Sequence, residues 1–140
     1  MTMTEETRRL THAGVMAMLA TAVTKAEEIG QPQCIVIVDA SGELLGEIRM
    51  TGSKFLSRRS ALSKALTSAS HGIPSEKIPE AIRLAIAAAT DGGVTGLAGG
   101  LPILVNGTLV GGIGVGSGAP EQDLAVARAA LDAVGADLQD

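Results

Sequence analysis

Aromatic side chains are almost absent from this chain of 140 residues, which has no Trp, no Tyr and a single Phe, Phe55. Without rings, stacking of nucleic-acid bases is excluded as a mode of recognition. Cationic residues are few and scattered, with eleven Lys and Arg against fifteen Asp and Glu and a net charge of −4. The clustered basic footprint of a nucleic-acid binder is therefore missing, and no nucleic-acid partner is expected. The one cysteine, Cys34, sits inside the apolar run CIVIV and reads as a small buried hydrophobe, neither bridge nor nucleophile. Two histidines, His12 and His71, lie far from each other and from Cys34, so no metal-site spacing exists. No segment reaches the ~20 apolar residues of a membrane span. The opening MTMTEETRRL lacks the apolar centre of a signal peptide, so a soluble cytoplasmic protein with no membrane partner is expected.

What is present is aliphatic: Ala, Leu, Ile, Val and Met must build the core, and small residues must let helix approach sheet closely. A chain this long is one domain, spanning 1–140. Thr4 to about Ile29 has helical periodicity, with Val15, Leu19, Ala22, Ala26 and Ile29 on one stripe and Glu5 and Glu6 in the first turn. QCIVIVDASGELLGEIRM reads as two strands around a turn at Asp39 and Gly42. Ser53 to His71 and Pro74 to Thr90 read as two further helices, stopped by Gly72 and by DGG. LPILV-NG-TLVGGIGVG reads as a hairpin, because Asn-Gly suits a type I′ turn, and a last helix opens at Pro120. Strand pairs with short connections predict an antiparallel sheet with helices packed on it, an α+β fold.

GVGSGA, residues Gly114 to Ala119, has the glycine spacing of a dinucleotide-binding loop. That loop belongs to a βαβ unit with a parallel strand after its helix. Here the preceding strand is the second arm of a hairpin and no strand follows the helix. The match is a coincidence of spacing. Glycines at 111, 112, 114, 116 and 118 instead mark either a helix packed tightly on the strand or a ligand lying against it.

Four blocks, IVIVDASGELLGEIRMTGS, SALSKALTSA, AGGLPILVNGTLVGGIGVGSG and EQDLAVARAAL, together resemble the GlcG/HbpS-like family of heme-binding and heme-degrading proteins. The blocks span nearly the whole chain and keep their order. The resemblance implies a profilin-like α+β sandwich with about five antiparallel strands, a homo-oligomer, and heme or a related small ligand. Two departures stand out. Thr51 follows Arg49-Met50 where the family has Asp, and Gly116 is an extra glycine before Ser117.

Candidate site residues follow. On the second helix Leu62, Ala65, Leu66 and Ala69 form an apolar face, and Ser57, Ser60, Lys64 and His71 the opposite stripe. Lys64 and His71 are two turns apart, about 10 Å along the axis. The stripe is either a solvated face or one side of a pocket, where Lys64 binds a carboxylate and His71 ligates iron or moves a proton. His12, beside Val15 and Leu19, reads as a hydrogen-bonded residue at the core edge or a subunit contact. Arg49 shares a strand face with Glu47; it either recognises an anion or pairs with that acid. Gly99 and Gly100 form either a backbone nest for an oxyanion or a bulge, and Gly116 and Ser117 complete the ligand-binding set. Arg58 and Arg59 suit ion pairs within or between subunits.

Three functions fit these residues. The first is binding of heme or a related small ligand. The second is proton transfer on a small carboxylate, as a tautomerase, isomerase or lyase, with Arg49 holding the substrate and Lys64 or His71 moving the proton. The third is an accessory or sensor role without chemistry.

Overall fold

The computed structural model describes residues 1–138. Helix α1 (His12–Glu28) leads into strands β1 (Cys34–Asp39) and β2 (Leu44–Arg49), then α2 (Ser57–His71). Two short 3₁₀ turns, Ser75–Lys77 and Glu80–Ile82, precede α3 (Arg83–Ala89). Strands β3 (Gly100–Val105) and β4 (Thr108–Gly116) and helix α4 (Pro120–Ala133) complete the order. The strands form one antiparallel sheet in the order β2-β1-β4-β3, four strands where the resemblance implies about five. No helix among the described residues is long and apolar enough to cross a membrane.

The two tight turns form where local chemistry demands them. Asp39 Oδ1 accepts from the N–H groups of Ser41 and Glu43, at 2.8 and 3.0 Å, and closes the β1–β2 turn. Asn106 and Gly107 take φ of 50° and 79°, the left-handed pair of a type I′ turn. Helix α1 starts at His12 and not near Thr4. Residues 1–9 bury no side chain, so a helix there has no packing to sustain it. Thr11 supplies the cap, its Oγ1 accepting from Gly14 N at 3.1 Å. Gly14 has room for a methyl group: a Cβ there would make ordinary contacts, 3.6 Å from Thr11 Oγ1 and 3.9 Å from the Leu10 side chain. Gly14→Ala is therefore expected to stabilise the fold by about 0.5–1 kcal/mol, read as a higher thermal midpoint.

The long helix expected over 74–90 is broken by its prolines. Pro79 holds Ile78 extended at ψ 125°, so the chain makes two 3₁₀ turns before α3. Arg83 staples the segment, donating from Nε to Ile78 O at 2.9 Å and from Nη2 to Glu76 O at 3.0 Å.

The two faces of the sheet are packed differently. On one, α1 and α4 cover large aliphatics: Met18, Ile35, Ile37, Leu101, Ile103, Ile113 and Leu131 are all buried. On the other, α2 presses Ala61, Ala65 and Ala69 onto Cys34, Val36 and Val38. That contact needs the glycines of β4. A Cβ on Gly114 would run into the Ala61 carbonyl and stand 2.6 Å from Ala65 N, and one on Gly112 would meet the Ala65 carbonyl and the Ala69 amide. The glycine column is a floor for a helix backbone, the tight-packing alternative of the two that its spacing allows.

Candidate functional site

The glycine floor also decides which side of α2 faces inward. Only small side chains fit beneath the helix, so Ala61, Ala65, Ser68 and Ala69 are buried while Leu62 is turned out, 37% exposed. This reverses the apolar assignment of Leu62 and the solvated assignment of Lys64. Lys64 is only 5% exposed. Its Nζ donates to Val115 O at 2.8 Å and to Asp123 Oδ2 at 3.1 Å. Asp123 Oδ1 accepts from Gly118 N at 3.1 Å, so one ion pair ties α2 to the end of β4 and the first turn of α4.

Burial pushes the Asp123 carboxyl above its ordinary value, and the Lys64 charge and hydrogen bond and the Gly118 N–H pull it part of the way back. The Gln33 amide also favours the carboxylate, although neither its nitrogen nor its oxygen reaches a partner at hydrogen-bonding geometry. Gly99 and Gly100 are buried beside this pair: a Cβ on Gly99 would lie 3.0 Å from Lys64 Nζ. Gly99 O accepts from Val115 N at 2.9 Å and Gly100 N donates to Ser75 Oγ at 2.9 Å. The Gly100 N–H is thus spent inside the fold and is not offered to a ligand.

Gly116 lies under α2, 3.2 Å from Ser57 O at its Cβ position. Ser117 takes φ 101°, unusual for a residue with a side chain. Its Oγ accepts from Lys54 N at 2.9 Å and its carbonyl from Gln31 Nε2 at 3.1 Å, so it tethers the loop that carries Phe55. His71 stands exposed in the last turn of α2, its Nδ1–H donating to Thr67 O at 3.1 Å. His12 is exposed at the first position of α1, not at the core edge.

Arg49 is the sequence candidate that reaches an open cavity. A groove of about 430 Å³ runs between β2 and the start of α2, lined by Glu47, Arg49, Phe55, Leu56, Arg58, Arg59 and Leu62. Glu47 is held by Arg58, at 2.8 Å to Nη2 and 3.2 Å to Nε, so Arg49 is not its partner. Phe55 and Leu56 are 64% and 58% exposed, an apolar pair left uncovered between guanidinium groups. The groove contains Arg49 but none of Lys64, His71, Gly99, Gly100, Gly116 and Ser117. Sequence reasoning misses its wall of Phe55, Leu56 and Leu62. The available signal is KFLSRR, the only aromatic residue set among cations.

A four-stranded antiparallel sheet between helices, with an open cationic and apolar groove at one rim, defines a small α+β protein with one candidate binding groove. The family model described as "Haem degrading protein HbpS-like" matches residues 10–132. The chain belongs to the HbpS-like family. It is similar to the corrinoid adenosyltransferase PduO of Citrobacter freundii, 33% identical over 135 residues; these are 93% of this chain but 38% of that longer relative. Klebsiella pneumoniae protein ORFY superposes with a TM-score of 0.91 at 27% identity, covering 96% of this chain and 97% of that one. A double mutant of Streptomyces reticuli HbpS superposes with a TM-score of 0.83 at 29% identity, covering 94% and 91%.

Proposed function

We propose that this protein binds heme or a closely related tetrapyrrole bearing carboxylates, as a homo-oligomer in the cytoplasm. The observation that carries the reading is the groove: Arg49 and Arg59, unpaired among the described residues, beside uncovered Phe55, Leu56 and Leu62. Propionate groups suit guanidinium forks, and a flat apolar macrocycle suits the Phe55–Leu56 surface. The family description and the corrinoid name of the PduO relative point to the same ligand chemistry.

The groove fits the periphery of heme better than its iron. It is lined by no histidine or cysteine, and Cys34 is fully buried in the core. Recognition in this reading rests on carboxylates and ring face. His71, the exposed histidine of α2, stands nine residues beyond Leu62, about 13 Å along the helix axis, and is out of reach of iron in a ring seated in the groove. The proton-transfer alternative is weaker, because Lys64 is buried in an ion pair and His71 lies outside the groove that holds Arg49.

Titration of the purified protein with hemin, followed by the Soret band, tests the reading. The wild type is expected to saturate at a fixed stoichiometry. Arg49→Ala is expected to bind about tenfold more weakly, the loss of one charge-assisted hydrogen bond. Loss of binding in His71→Ala with Arg49→Ala unaffected would move the site to the far end of α2. A shift that never saturates and ignores both substitutions rules heme out.

A further inference from the structure

The two edges of the sheet are finished differently, and the difference points to a partner. On β3 the residues that turn their backbone outward are Gly100, Pro102 and Leu104, since Gly99 pairs inward with Val115 and Leu104 O accepts from Asp137 N at 2.7 Å. Gly100 N–H is capped by Ser75 Oγ at 2.9 Å, and Pro102 has no N–H to offer. That edge is closed. On β2, Met50 N donates inward to Gln33 O at 3.0 Å, which places Ile48 toward β1 and Glu47 and Arg49 outward. Among the described residues no backbone hydrogen bond reaches the outward N–H and C=O groups of Glu47 and Arg49. This edge contains no proline and is exposed along most of its length.

The outward residues carry opposite charge at spacing two. Paired antiparallel with a second copy of itself about an axis through Ile48, β2 sets each Glu47 opposite the partner's Arg49 and each Arg49 opposite the partner's Glu47. Both pairs exchange N–H and C=O across the seam. The same register brings the two half-buried Ile48 side chains together on the α1 face. An axis through Glu47 sets Glu47 against Glu47 and is opposed by its own charge.

We propose that the open β2 edge is a self-pairing surface, joining two copies into a continuous eight-stranded sheet through Glu47–Arg49 cross-strand pairs. This rests on the homo-oligomer part of the proposed function and names its surface. Arg49 then presents one edge of its guanidinium to the partner's Glu47 and keeps the other for a carboxylate in the groove.

Sedimentation of the ligand-free chain and of two charge variants is the test. The wild type is expected to be at least dimeric, and R49E and E47R each to lose the contact, because each places like charges opposite. An equimolar mixture of R49E and E47R is expected to recover it, since every facing pair is again opposite in sign. Register is read by Ile48→Cys, with Cys34 left in its buried place. Residues facing each other in such a pair lie about 4.5 Å apart at Cα, inside the ~4.4–6.8 Å of a disulfide. Ile48→Cys is expected to oxidise to a covalent dimer and Leu44→Cys is not. An oligomer that ignores both charge variants and does not cross-link at residue 48 overturns this surface but keeps the oligomer. A monomer at all concentrations overturns both.

Discussion

Lys64→Ala is expected to lower the unfolding free energy by about 3–5 kcal/mol, because it leaves the Asp123 carboxylate buried without its counter-charge. Asp123→Asn is expected to cost less, because the site already favours an uncharged carboxyl and what is lost is one acceptor facing Lys64 Nζ or Gly118 N. Against a typical total of about 5–15 kcal/mol, the lysine truncation removes a large part of the stability. Replacing both, as Lys64→Met with Asp123→Leu, is expected to be milder than Lys64→Ala alone, since no charge is then left in the interior. Urea unfolding followed by far-ultraviolet circular dichroism measures this directly in a chain without Trp or Tyr. A double replacement that costs as much as the two single losses together would show that the pair is not coupled.

The same carboxyl has a pH signature. Asp123 is raised above 3.8, chiefly by burial, so the folded chain holds this proton more tightly than the unfolded chain does. Its contribution to stability is therefore greatest below 3.8 and declines as pH rises through the elevated folded value. This opposes the usual acid destabilisation by paired carboxylates. Asp123→Asn is expected to remove that component and leave a stability profile falling more steeply on acidification.

Gly114→Ala is expected to cost about 3 kcal/mol or more, at or beyond the upper end for overpacking, because the new methyl meets backbone and not a side chain that can turn away. The Ala61 carbonyl and Ala65 amide belong to the middle of α2, so relief requires the whole helix to lift from the sheet. Gly112→Ala meets the next turn of the same helix and is expected to behave alike. The informative contrast is Gly14→Ala, the same chemical change where a methyl group has room. If Gly114→Ala unfolds within 1 kcal/mol of the wild type, a rigid contact of α2 with β4 is untenable.

Features that depend on close neighbours along the chain are legible in the amino-acid sequence. Asp39 with Gly42, Asn106 with Gly107, and Pro120 each announce a turn or helix start through their own backbone chemistry. The close packing over the β4 glycines is legible too, as is Cys34 in the core. The orientation of α2 is not. A helical wheel ranks Leu62 above Lys64 for burial; the glycine floor inverts that order by admitting only small side chains, and an acid from α4 receives the lysine. Periodicity overstates the extent of α1 and of the segment before α3, since it continues where Thr11 and Pro79 interrupt the helix. The groove is half visible. Arg49 and the Arg58–Arg59 pair stand out singly, but only the fold brings β2 against residues 55–62.

The unequal packing of the two faces has a thermal consequence. Attraction between large aliphatic surfaces weakens on cooling, because it comes mainly from water, whereas close contact between backbones does so far less. The α1–α4 face is built from the first kind of contact, whereas the α2 face joins a smaller apolar cluster to backbone contact over Gly112 and Gly114. In the cold the α1–α4 side, away from the groove, is therefore expected to soften before the side where α2 lies on the β4 glycines.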